Sequence, residues 1–135
     1  KIPNVSVIAM AAIWPLIGWT LVPFSGWLWG LALMAIVFAV GFLIYLTGTF
    51  GAGDAKYSAA MAGMFVGGDI GQILLIIFLC MFGALFLHRL LRSLSVVRNA
   101  TPDWESWTQR RYFPFGLALS AIVVFYLLAA IWPQV

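Results

Sequence analysis

Four runs of the sequence, Val5 to Val22, Trp27 to Thr47, Ile70 to Leu87 and Pro114 to Trp132, stay apolar over the length a helix needs to cross a bilayer. At 1.5 Å of rise per residue, about 20 helical residues match a hydrocarbon core of about 30 Å. Backbone polar groups in lipid must bond to one another, which restricts spanning segments to helices and closed barrels. These runs are continuous rather than alternating, so helices are expected. Composition points the same way, with 64% of the 135 residues hydrophobic and 8% charged, where a soluble domain carries roughly a quarter charged. The mean hydropathy of +1.08 excludes an ordinary water-soluble fold. A fifth run, Asp54 to Gly67, has only fourteen residues, or roughly 20 Å of helix. It crosses only beside thinned lipid or by borrowing flanking residues. The expected fold is an all-α polytopic transmembrane helix bundle with five spans, in which residues 1–135 form one membrane domain.

The connections follow from residue type. Pro23-Phe24-Ser25-Gly26 is expected to turn tightly, with Trp19, Trp27 and Trp29 as interfacial aromatics. Gly48 to Gly53 makes a flexible approach to Asp54, and Gly67-Gly68-Asp69 turns the chain out of the short helix. Residues 92–112 read as a polar cytoplasmic loop, and the stretch from His88 to Phe113 holds five of the seven basic residues. Within it, Thr101-Pro102-Asp103-Trp104-Glu105 has the order of an N-cap, a first-turn proline and first-turn acids, predicting a short helix lying in the interface. Alternating five crossings puts Lys1, Lys56 and the Arg89 to Arg111 segment on one side and leaves Asp69 as the charge on the other. The positive-inside rule makes the basic side cytoplasmic. The opening Lys1-Ile2-Pro3-Asn4 lacks an initiator Met and a signal-peptide n-region, so the chain is read as starting partway through a longer one.

Chemistry centres on two acids. Asp54 and Asp69 adjoin membrane helices, where a carboxylate is costly and marks a functional candidate. Asp54 follows Gly51-Ala52-Gly53, whose missing side chains would let an extended substrate backbone come close. The alternative is that Asp54 merely caps its helix against free N–H groups and the dipole, and spacing alone leaves both readings open. Lys56 is either a snorkelling lysine or a local source of positive potential. Asp69 lies roughly 20 Å of helix away, near the opposite face, and reads as a turn residue. His88, beside Arg89 and Arg92, suits a helix C-terminus. One histidine and one cysteine, Cys80, offer no metal-ligand cluster and no internal disulfide.

Three landmarks carry a resemblance. Lys1-Ile2-Pro3-Asn4, then Gly51-Ala52-Gly53-Asp54-Ala55-Lys56, then Pro114-Phe115-Gly116 at the start of the last helix resemble, in order, spacing and position relative to helices, the prepilin peptidase family. The likeness is nearest to its small members associated with tight-adherence (Flp-type) pili and more distant to archaeal preflagellin peptidases. It extends over essentially the whole sequence. A GxGD string alone is weak in a glycine-rich membrane protein; the lysine two residues on and the flanking landmarks make the combination specific.

The resemblance implies an intramembrane aspartic endopeptidase of the bacterial cytoplasmic (inner) membrane that removes a short basic leader from type IV prepilin-like subunits at the cytoplasmic face. Asp54 matches the family's second catalytic aspartate. The first lies a few residues before the Ile-Pro-Asn string, so a partner acid and a sixth crossing are expected upstream of Lys1. Gly51, Gly53, Lys56, Pro3, Asn4, Pro114 and Gly116 are implied as active-site supports. No cofactor and no metal are implied. The larger relatives' cytoplasmic zinc-binding cysteine domain has no counterpart here, and nothing supports their methyltransferase activity.

The expected partners are a prepilin-like membrane substrate and anionic lipids, the latter through the Arg89 to Arg111 cluster. Nucleic acid is not expected, since that cluster has no soluble scaffold. Two further readings stand beside the peptidase. One is a small ion- or proton-coupled transporter subunit with Asp54 on a short, broken helix; the other is a catalytically inactive homologue.

Overall fold

The computed structural model describes residues 2–48, 51–95 and 115–131. Among them the protein is all-α, with five helices and the character of a polytopic membrane protein. The first helix opens after Pro3, held extended at φ −66° and ψ 139°, and runs as α1 (Asn4–Ile13), a π-helical turn (Trp14–Gly18) and a last turn, α2 (Trp19–Leu21). Pro15 explains the wide turn. It has no N–H to donate and crowds the carbonyl four residues back, and one extra residue in the turn relieves both problems. Val22 is extended, as a residue before proline tends to be, and ends the helix.

Pro23 then caps α3 (Phe24–Leu46), whose 23 residues run about 34 Å. Gly48, at φ +74°, stops it, and its N–H bonds back to the Tyr45 carbonyl at 2.9 Å. After Gly51 comes the short α4 (Ala52–Ala62), continued by a 3-10 turn (Gly63–Phe65). Gly67, at φ +81°, redirects the chain. Asp69 then caps α5 (Ile70–Ser93), its Oδ1 accepting from the Gln72 N–H at 2.8 Å. The final described helix is α6 (Phe115–Ile131).

The chain parts into two compact units, Lys1–Ile73 and Leu74–Val135. In the first, α4 packs against both α1 and α3. Its direction follows from three approaches. Gly53 sits against Ile2, Gly63 against Trp14, and Val66 beside Gly26. The short segment therefore runs parallel to α1 and antiparallel to α3, from the open end of the α1–α3 hairpin toward its turn. Small residues permit this, since a Cβ on Gly41 of α3 would stand 3.1 Å from the Ala55 Cβ. Ala59, Ala60, Met61 and Ala62 are consecutive and all buried, so this end of α4 is enclosed on every side. In the second unit α5 buries Cys80 and Ala84, and α6 buries Ala118, Leu119 and Ile122 on one face. The Ser120 hydroxyl donates to the Gly116 carbonyl at 2.9 Å, which satisfies it within its own helix.

The expectation of five spans is corrected. Three described helices are long and apolar enough to cross a membrane: Asn4–Leu21 with 18 residues, Phe24–Leu46 with 23 and Ile70–Ser93 with 24. The Asp54 to Gly67 run fails because it is not one helix. It divides into an 11-residue α-helix bearing Asp54, Lys56, Tyr57 and Ser58, then a 3-10 turn, then extended Val66. The last helix is apolar, but its 17 described residues rise about 26 Å. Counting the Asp54 run as a crossing was what placed the Arg89 to Arg111 segment with Lys1 and Lys56, so that assignment loses its basis. The first two spans still bring the chain back beside its start, since a Cβ built on Gly53 would lie 3.6 Å from the Ile2 Cβ. The proposed interfacial helix after Thr101 lies outside the described residues.

Candidate functional site

The site is built on the first turn of α4. Gly51 is its extended N-cap, at φ −77° and ψ 142°, and Asp54 is three residues on. From there the carboxylate folds back and accepts the Gly51 backbone N–H, the acidic half of a capping box. A side chain on Gly51 would meet Asp54 Oδ2 at 2.6 Å, so a larger residue here would displace the carboxylate from its present place. Asp54 is half-buried. Burial raises its pKa above the ordinary carboxylate value of 3.8, and the Gly51 hydrogen bond opposes that rise without cancelling it. The arrangement is a carboxyl group whose protonated form is favoured by its surroundings, kept at a fixed place by the backbone, which is what an acid–base residue needs.

The glycines act differently from the open approach expected of them. The space over Gly51 is filled by Asp54, and a Cβ on Gly53 would lie 3.6 Å from the Ile2 Cβ, in ordinary contact. Gly53 thus joins the GxGD string to the Ile2-Pro3-Asn4 string. Pro3 and Asn4 are exposed at the head of α1, and Lys56 is exposed on α4. Ala55 is 3% exposed and wedged under Gly41, which seats the turn that carries Asp54.

Asp69 is at the other end of the hairpin. It follows Val66, which adjoins Gly26 near the α1–α3 turn, whereas Asp54 follows Gly53 at the open end. Its carboxylate is exposed and engaged in capping α5. His88 is half-buried near the end of α5, and Arg92 sits in that helix's last turn, where a cation complements the dipole. Gly116 is half-buried in α6 of the second unit; Pro114 lies outside the described residues. Among the described residues no three His, Cys, Asp or Glu side chains cluster as metal ligands.

One residue of consequence was not singled out by sequence reasoning. Trp14, 5% exposed, begins the π-helical turn and donates from Nε1 to the Trp27 carbonyl at 3.1 Å. Its indole lies over Gly18, Gly30 and Gly63, where any added Cβ would collide with the ring. The signal available was a Trp-Pro pair interrupting an apolar run, together with those glycines. No family model matches the chain, nor does any curated protein or solved structure.

Proposed function

We propose that this chain is an intramembrane aspartic endopeptidase that removes the leader of a type IV prepilin-like membrane protein, with Asp54 as one of two catalytic carboxyls. The observation that carries the reading is the juncture of two strings: Asp54 heads a short, enclosed helix, and the adjoining Gly53 lies beside Ile2 of the Ile-Pro-Asn string. In the family the chain resembles, the first catalytic aspartate lies a few residues before that string. A carboxyl arriving there would come to the same end of the hairpin as Asp54.

The chemistry follows from pairing. Two carboxyls held close share one proton, because like charges in a confined site raise one pKa strongly. The ionised group draws a proton from the attacking water, and the protonated one donates to the scissile carbonyl as it becomes an oxyanion. The burial that already favours a protonated Asp54 supports this sharing. Such a pair titrates as a unit, so acid and base roles belong to the dyad. Lys1 and Lys56 adjoin this end of the hairpin in sequence. Basic residues near span ends favour the cytoplasmic side, in a bacterial inner membrane, where a basic leader would be met. Anionic lipid headgroups are the partners of the remaining basic residues.

A proton- or cation-coupled transporter is the second reading, favoured by a half-buried carboxylate on a helix that breaks into a 3-10 turn. The test is Asp54→Asn in the full-length chain, reconstituted with a prepilin-like subunit bearing a basic leader. Leader removal should cease while the protein remains folded. Processing at the native rate would overturn the peptidase, and loss of ion flux in the same vesicles would favour the transporter.

A further inference from the structure

We propose that Trp14 is a positioning residue for Asp54: its indole, wedged among Gly18, Gly30 and Gly63, fixes the far end of α4 and thereby where the first turn of that helix presents its carboxyl group. The inference rests on the catalytic reading of Asp54 for its functional consequence, but the placement of α4 can be measured separately.

The argument is one of shape. Side chains around Trp14 are absent where the ring lies. A Cβ on Gly18 would come within 2.8 Å of Cδ2, and one on Gly63 within 2.6 Å of Cγ. One on Gly30 would overlap the Nε1, Cε2 and Cζ2 edge. These glycines belong to the π-helical turn, to α3 and to the 3-10 turn that continues α4, so a single ring joins three elements. The Nε1 hydrogen bond to the Trp27 carbonyl sets the ring's orientation.

At its other end α4 rests on small contacts, Gly41 against Ala55 and Gly53 against Ile2. Between the two ends α4 is one unbroken helix of eleven residues, a rigid element that carries a displacement from one end to the other. Shifting the Gly63 end therefore shifts or tilts the Asp54 end. Reacting groups tolerate little of this, since a displacement of about 1 Å can lower a rate on the order of 100-fold.

The built Gly53 Cβ lies 3.6 Å from the Ile2 Cβ, within the range a disulfide spans. This contact reports where α4 sits. In the full-length chain with Cys80→Ser, the pair Ile2→Cys and Gly53→Cys should oxidise almost completely, read by intact mass after thiol blocking. Adding Gly30→Ala, which drives a methyl into the indole edge, should slow cross-linking several-fold; Trp14→Leu alone should do the same. Combining Trp14→Leu with Gly30→Ala returns a methyl to the space the ring leaves, and should recover most of the cross-linking rate.

In the background without introduced cysteines, the single variants should lower kcat for leader removal by about 10- to 100-fold, with KM changed less than about twofold. The double variant should recover part of kcat. Folded single variants that cross-link and cleave at the native rate would overturn the proposal, as would a double variant no better than either single one. If Trp14→Leu does not fold, Gly30→Ala and the double variant still decide it. Asp54→Asn that leaves leader removal intact would remove the catalytic reading instead, with the cross-linking result alone deciding how α4 is placed.

Discussion

Gly53 lies against Ile2, and the contact closes the open end of a hairpin whose two long helices enclose a third, shorter one. Through it the head of α1 and the head of α4 become one surface. Asp54 stands on that surface, its carboxylate turned back to the Gly51 N–H.

The two glycines of this turn should respond differently to alanine. Gly51→Ala puts a methyl against Asp54 Oδ2 and displaces the carboxylate from its backbone partner. A loss of about 1 kcal/mol is expected, with a clear fall in leader cleavage. Gly53→Ala makes only ordinary contact with Ile2 and should stay within about 0.5 kcal/mol of the native protein. Unfolding in mild detergent, paired with a cleavage assay, checks both; equal effects would contradict the geometry.

Asp69→Ala removes the α5 cap and should cost about 1 kcal/mol, while Asp69→Asn, which can still accept from the Gln72 N–H, should cost much less. Neither should alter the pH dependence of cleavage. A change in that profile would bring Asp69 back as a catalytic candidate.

The pH dependence of stability isolates Asp54. Its folded-state pKa is raised above 3.8 by burial, so the folded protein binds the proton more tightly than the unfolded chain does. The resulting stabilisation is fully present below the unfolded value and is lost as pH rises through the folded one. Asp54→Asn lacks this titration. The midpoint of the Asn variant relative to the native protein should therefore increase as pH is raised from about 4 toward neutrality. Thermal unfolding across that range measures it, and a constant difference would mean that burial does not dominate.

Lys56 is exposed at the same end of the hairpin. In a Cys80→Ser background, Lys56→Cys should react with a membrane-impermeant maleimide in inside-out vesicles and stay unlabelled in right-side-out ones. The reverse pattern would refute a cytoplasmic active site.

The long helices were legible because lipid demands unbroken apolar length, and their ends moved only where local chemistry intervened. α3 begins at Phe24 rather than Trp27 because Pro23 supplies its cap, and α5 continues past Leu87 to Ser93 because Arg92 suits its last turn. The span number differs because an apolar run does not show where its helix breaks: the Asp54 to Gly67 run divides into an 11-residue helix and a 3-10 turn. Asp54 at the head of a short helix was readable from Gly51-Ala52-Gly53. The pairings of Trp14 with Gly18, Gly30 and Gly63 were not. An all-apolar helix such as α3 has no polar face to say which side turns inward, so periodicity loses its power. That Gly51 serves its own aspartate also required coordinates, since it depends on the side chain turning backward.

The sheltering of α4 carries a consequence for biogenesis. α1 and α3 can each partition into lipid as they leave the ribosome, because apolar length alone stabilises them there. α4 cannot, since it bears a carboxylate and a lysine and covers its alanines only with other helices. Its place exists only where α1 and α3 have come together, since it packs against both. The acid at its head is thus assembled into place only in a molecule that has already passed its own packing test.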